Sequence, residues 1–241
     1  MRATRRAALC VALGLIPGPA PAHAADGDLA PTAARSYAAH VVIATVARTK
    51  PDSRSGVRLR LPAHTSWSHG PMTLLVLDDR RDAGGRRWLR VRLPVRPNDA
   101  SGWISDDVVR LSRNPWRIKI STRRRTVSVW RAGTLVHVMR AVIGKPGTPT
   151  PHGLFAIHER ARQADPSGFV GPWALHLTAH SDVLTNYGGG PGTVAIHGRS
   201  GASLLDPLGS ARSHGCVRVA NDDVSWLART VRVGTPVLIA D

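Results

Sequence analysis

An all-β chain in two parts, with one short helix near its end, is the fold class predicted by three observations. Apolar residues recur with period two in short runs. Gly, Pro and Asp turn signals punctuate those runs. Only one window, residues 221–230, places its apolar residues at helical spacing.

Residues 1–24 come first and have the anatomy of an export signal, outside the fold proper. Arg2, Arg5 and Arg6 give a positive start, an apolar stretch runs from Ala7 to Ile16, and Ala22-His23-Ala24 is a small-x-small cleavage site. The apolar stretch is about half of the ~20 residues that a membrane span needs. Arg5-Arg6 also suits a twin-arginine signal, so the export route stays open. No later stretch is long and apolar enough to span a bilayer as a helix. Residues 25–40 are aperiodic and contain Ala, Asp and Pro, which predicts a tether.

Residues 41–112 carry the first set of strand signals: Val41-Val42-Ile43, Leu74 to Leu77, Trp88 to Leu93, and Gly102-Trp103-Ile104. Alternation is clearest at Trp88 to Leu93, where Leu89, Val91 and Leu93 would face one way and Trp88, Arg90 and Arg92 the other. Asp82-Ala83-Gly84-Gly85 reads as a hairpin turn. Strands this short and closely spaced predict a small barrel. The Trp-led strand, the Pro-containing bend, Gly102-Trp103-Ile104 and the closing Val108-Val109 together resemble the Src-homology-3-like barrels that accompany bacterial wall enzymes.

Residues 115–241 hold the second set. Arg117 to Ser121 and Thr126 to Trp130 alternate around a basic turn, Arg123-Arg124-Arg125, and a turn at Arg131-Ala132-Gly133 leads to a third strand, Thr134 to Ile143. Asn221 to Thr230 is the helix, with Asp222 and Asp223 in its first turn.

Cys216 is the one cysteine outside the signal, because Cys10 lies within residues 1–24. A lone thiol in an exported chain has no internal disulfide partner, and this points to a reactive nucleophile. Thiol chemistry needs a base, a group to orient that base, and donors for a developing oxyanion. His197, at the end of the apolar run Thr193 to Ile196, supplies the base, and the carbonyl of Gly198 can hold its other ring nitrogen. Gly215 lets backbone approach a substrate, so the amides of Gly215 and Cys216 can face a carbonyl oxygen. Ser213 and His214 complete the loop. Tyr187, with Gly188-Gly189-Gly190, is a candidate pocket wall.

His197, fifteen intervening residues and Ser213-His214-Gly215-Cys216 together resemble the signature of the L,D-transpeptidases, the YkuD-type catalytic domain. Thr150-Pro151-His152-Gly153-Leu154-Phe155, following Gly144-Lys145-Pro146-Gly147, resembles that family's second landmark. The resemblance implies a β-sandwich over 115–241 that acts on peptidoglycan stem peptides without metal or cofactor. Cys216 would form a thioester with the third residue of the stem and expel D-alanine. Transfer to a neighbouring stem amine would give a 3→3 cross-link. Water as acceptor would make an L,D-carboxypeptidase, and a protein acceptor a wall-attachment acyltransferase. The oxyanion would lie against the 214–216 amides, and a carbapenem would acylate the same sulfur. Position 218 is Arg rather than the Asn of one branch; in the Arg branch the guanidinium meets a substrate carboxylate, while a structural ion pair is the alternative role.

Charge and motif bound the remaining classes. The formal balance is +17, from 30 Arg and 3 Lys against 16 acidic residues; it suits anionic partners such as wall polymers, but the arginines are spread along the chain and most read as solvated face. No nucleic-acid recognition motif accompanies it. A metallopeptidase built on His176 and His180 is the rival enzyme, although Glu159 is the sole glutamate available as its base. A wall-binding protein without catalysis is the rival of another class. Oligomeric state is not legible in the sequence.

Overall fold

The computed structural model describes residues 28–186 and 190–241. The expected export signal, residues 1–24, and Tyr187 with Gly188 and Gly189 lie outside the described residues. Seventeen strands, two short 3-10 turns and one α-helix make up the described chain, so the all-β class holds.

The N-terminal part contains β1 (Ser36–Val41), β2 (Thr45–Arg48), β3 (Val57–Leu61), β4 (Thr73–Arg81), β5 (Arg87–Arg92), β6 (Ser101–Ser105) and β7 (Val109–Asn114). They form one antiparallel sheet in the order β3-β2-β6-β5-β4-β1-β7 around its own apolar core. Leu89, Val91 and Leu93 face that core as their alternation requires. Trp88, expected on the other face, is nevertheless buried, because its indole N–H finds Asp82 Oδ2 at 2.9 Å. The Asp82 turn joins β4 to β5, with Asp82 Oδ1 accepting from the amides of Gly84 and Arg86 at 3.0 Å each.

The tether expected over 25–40 is corrected from residue 28 onward. Leu29 is buried and donates its amide to Asp79 Oδ1 at 3.0 Å, and Ser36–Val41 pairs with both β4 and β7. Ala38 and Ala39 are small enough to be sealed between those neighbours, a burial that Ala-rich composition does not advertise. The strand expected from Val41 instead ends there, and Val42 and Ile43 are exposed in a turn.

The C-terminal part holds β8 (Trp116–Ser121), β9 (Thr126–Arg131), β10 (Thr134–Arg140), β11 (Ile143–Gly144), β12 (Gly153–Arg162), β13 (Trp173–His180), β14 (Thr193–His197), β15 (Ala211–Ser213), β16 (Val217–Arg218), α1 (Asn221–Thr230) and β17 (Pro236–Ala240). Eight strands run in the order β10-β9-β8-β17-β12-β13-β14-β16. β12 belongs to two layers: Gly153 to Ala156 pair with β17, and Ile157 to Arg162 pair with β13. The register shifts between Ile157 and Glu159, where the strand passes from one layer to the other. Phe155, Ile157, Leu175, Leu177, Ile196 and Val217 fill the space between the layers, and Val224 and Leu227 of α1 seal it.

Polar contacts seat the N-terminal sheet on this sandwich. Asn98 Nδ2 donates to the carbonyl of His180 and Asn98 Oδ1 accepts its amide, both at 2.7 Å. Arg96 Nη2 donates to the carbonyl of Ser181 at 2.8 Å. The carboxylate of Glu159 takes Thr65 Oγ1 at 2.7 Å, the amide of Trp67 at 3.1 Å and the amide of Ser68, all on Oε1.

Candidate active site

Strand register creates the site. β14 and β16 run parallel, with Ile196 opposite Val217 and His197 opposite Arg218. Val194, Ile196 and Val217 point into the core. The period-two alternation therefore sends Ala195, His197, Cys216 and Arg218 to the other face. There, His197, Cys216 and Arg218 border a cavity of about 190 Å³ together with Phe169, His176 and His214.

His197 is 4% exposed, and its Nδ1–H donates to the carbonyl of Gly198 at 2.8 Å. A carbonyl only accepts, so the proton sits on Nδ1 and the Nε2 lone pair is left for chemistry. Burial pushes the ring down to about 4, against the carbonyls of Gly198 and Val170, which favour the cation. The Cys216 thiol is pushed up, first by burial, while a backbone hydrogen bond from Ala195 and the charge of Arg218 pull the other way. The resting pair is thus a neutral thiol beside a neutral imidazole.

The loop carrying Cys216 is braced from below. Ser213 Oγ donates to the carbonyl of Cys216 at 2.5 Å and accepts the amide of Gly215 at 3.1 Å. Thr150 Oγ1 donates to the carbonyl of Gly215 and accepts the amide of Gly144, each at 2.9 Å. Thr148 Oγ1 and the amide of Lys145 both reach the carbonyl of Ser213. The second sequence landmark, residues 144–155, thus forms the cradle of the Cys216 loop. Gly215 has φ +120°, a conformation that side-chain-bearing residues avoid.

This bonding corrects one expectation. The amide of Gly215 does not face the cavity, because Ser213 Oγ already takes it. An oxyanion over this loop has the amide of Cys216 as its remaining candidate donor of the two. Ser213 is accordingly a brace and not a substrate contact. His214 is exposed at the cavity rim.

Arg218 is buried and joined to Asp206 Oδ2 at 2.7 Å, with its guanidinium 4.7 Å from the ring centroid of Phe169. The ion-pair alternative is therefore realised, while the same side chain also borders the cavity. Asp206 and Phe169 were not legible as site residues. Phe169 sits in a turn outside the motif and Asp206 within the spacer between His197 and Ser213, and neither spacing nor periodicity marks them. Among the described residues no group of three or more His, Cys, Asp or Glu is placed to hold a metal, and His176 instead lies under Trp67, with 3.9 Å between ring centroids.

The model of the L,D-transpeptidase catalytic domain, YkuD, matches residues 115–239. The chain is 36% identical over 125 residues to the L,D-transpeptidase YkuD of Bacillus licheniformis, covering 52% of this chain and 66% of that one. It is 31% identical over 119 residues to L,D-transpeptidase 1 of Mycobacterium tuberculosis, covering 46% and 45%. Among solved structures, L,D-transpeptidase 3 of Mycobacterium tuberculosis aligns at 16% identity with TM-score 0.44, over 84% of this chain and 95% of that one. The chain therefore spans two thirds or less of the length of these two curated relatives. The matched segment covers β8 to β17 and contains both the His197 strand and the Cys216 loop, so the chain belongs to the YkuD family of L,D-transpeptidase catalytic domains.

Proposed function

We propose that the chain is an exported L,D-transpeptidase that works through a Cys216 thioester on peptidoglycan stem peptides. The observation that carries this reading is the shared face of the parallel β14–β16 pair, which puts a buried, tautomer-fixed His197 and the Cys216 thiol on one cavity.

In the first half-reaction His197 Nε2 takes the proton of Cys216 as Sγ attacks the carbonyl carbon of the third stem residue. The Cys216 amide donates to the oxyanion. Collapse breaks the C–N bond to the terminal D-alanine, whose amine leaves with the proton held by His197. In the second half, a stem amine attacks the thioester and gives its proton to His197. The C–S bond breaks, and the proton returns to sulfur. The product is a 3→3 cross-link. The carbonyls of Gly198 and Val170 favour the transient imidazolium, which burial opposes.

Arg218 fits a substrate carboxylate from its place on the cavity wall, while Asp206 holds its Nη1. Tyr187 is proposed as a further wall of this pocket. The N-terminal sheet is proposed to be a Src-homology-3-like barrel that holds the enzyme against the wall. Residues 1–24 are proposed as the export signal.

Product analysis with a disaccharide-tetrapeptide tests the reading. A dimer that has lost one D-alanine, absent with Cys216→Ala, supports transpeptidation. A tripeptide alone points to the carboxypeptidase, and neither product overturns the assignment.

A further inference from the structure

The cavity at Cys216 is one end of a longer row. Across β12, β13 and β14, Glu159 pairs with His176 and His176 with Ala195. One step back from the Ile196–Val217 pair places Ala195 beside Cys216. Directly paired residues share a face, so Glu159, His176, Ala195 and Cys216 lie in a line on the site face, spaced by about 4.8 Å per strand. The register shift in β12 makes this possible. Ile157 points into the core, and without the shift Glu159 would follow it there.

A second cavity of about 370 Å³ continues from the first at the junction with the N-terminal sheet. His176 and Thr193 border both, and Trp67, Thr65 and His180 enclose the far side around Glu159. Glu159 is 4% exposed, and all its described hydrogen bonds fall on Oε1. Oε2 takes none of them and is not among the sealed polar atoms. Burial alone would raise this carboxyl, yet the hydrogen bonds from Ser68, Thr65 and Trp67 hold it below its ordinary range, so it stays ionised. Arg160 and Arg232 border the neighbouring space, but neither forms an ion pair with it among the described residues. An unneutralised carboxylate in a cavity whose described lining holds no Lys or Arg selects a cationic ligand group.

We propose that Glu159 Oε2 is the subsite for a substrate ammonium, the free side-chain amine of the diamino acid whose carbonyl reaches Cys216. This rests on the acyl-transfer reading above. Three strand spacings, about 14 Å between backbones, separate the two ends of the row. That span is on the scale of one residue with a long side chain held between the Glu159 and Cys216 side chains. The N-terminal sheet takes part directly, because Thr65, Trp67 and Ser68 fix the carboxylate by its other oxygen. Glu159 is thus a specificity residue outside the motif that identifies the family.

Binding to full-length Cys216→Ala protein tests this without chemistry. The ligands are a stem tetrapeptide with a free side-chain amine and the same peptide acetylated there. The free amine is expected to bind roughly tenfold more tightly, the scale of one hydrogen bond to a charged group. Adding Glu159→Gln is expected to erase that difference. Glutamine keeps an oxygen for the three donors, and an unchanged urea midpoint would show that the junction persists. Equal affinity for the two peptides in the parent overturns the proposal. So does an equal loss for both in Glu159→Gln, which would make Glu159 a structural clasp only. Failure of acyl transfer shows differently: wild-type protein would keep the amine preference yet form no thioester.

Discussion

The Nδ1 proton of His197 is donated to the carbonyl of Gly198 at 2.8 Å, and this one bond decides which ring nitrogen can serve Cys216. Replacing His197 by Asn removes the base while leaving the sheet pairing intact. Acylation by a tetrapeptide donor is expected to fall by roughly 10²- to 10⁴-fold, the usual value of a positioned base. Stopped-flow or quenched mass kinetics checks it. A loss under tenfold would mean that the thiol is activated some other way.

Acid should weaken both rate and fold. His197 and His176 are each lowered from 6.5 to about 4, chiefly by burial. Between those values the unfolded chain binds more protons than the native one, so stability rises with pH there. The contribution is complete above about pH 6.5 and lost as pH falls toward 4, on the order of 3 kcal/mol for each histidine. Urea midpoints at pH 7.5, 5.5 and 4.5 are expected to fall in that order. Acylation should decline over the same acid side as His197 charges, with no loss between pH 6.5 and 8. Because the Cys216 thiol is raised, simple alkylation should be slow at neutral pH and accelerate only in the alkaline range.

The Arg218–Asp206 pair is buried on the arginine side. Asp206→Asn leaves that charge poorly partnered and is expected to cost about 3 kcal/mol. Adding Arg218→Met should recover part of the loss, because the uncompensated charge is gone. Denaturant unfolding of the two single variants and the double variant checks the sign of the coupling. Additive losses would contradict the ion pair.

Gly215→Ala should cost about 1–3 kcal/mol from backbone strain at φ +120°. It should also slow acylation, because the loop that carries Cys216 would shift off its Thr150 brace. Thermal unfolding and acylation kinetics on the same preparation check both. An unchanged rate would show that the loop conformation does not position the sulfur.

The strand class and the helix at Asn221–Thr230 were legible because alternation and helical spacing are local signals. The bond from His197 to the Gly198 carbonyl was legible because an imidazole placed to act as base needs its second ring nitrogen held. What the sequence did not reveal depends on pairing between distant strands. β17 lies between β8, to which it is parallel, and β12, to which it is antiparallel, and nothing in Pro236 to Ala240 announces its neighbours. Glu159 reaches the site face only through the register shift in β12, and Asp206 meets Arg218 only after the chain has folded back. The burial of Ser36–Val41 was likewise invisible, because alanines alternate too weakly to signal a strand.

The central claim is a covalent bond on one sulfur. Intact-mass and peptide-level spectrometry of wild type and Cys216→Ala, each incubated with a disaccharide-tetrapeptide donor, measures it directly. The predicted result is an adduct on the wild type equal to the donor minus D-alanine, mapped to Cys216, labile to hydroxylamine and absent from the variant. A folded wild type that carries no adduct, or an adduct that persists in Cys216→Ala, would contradict it.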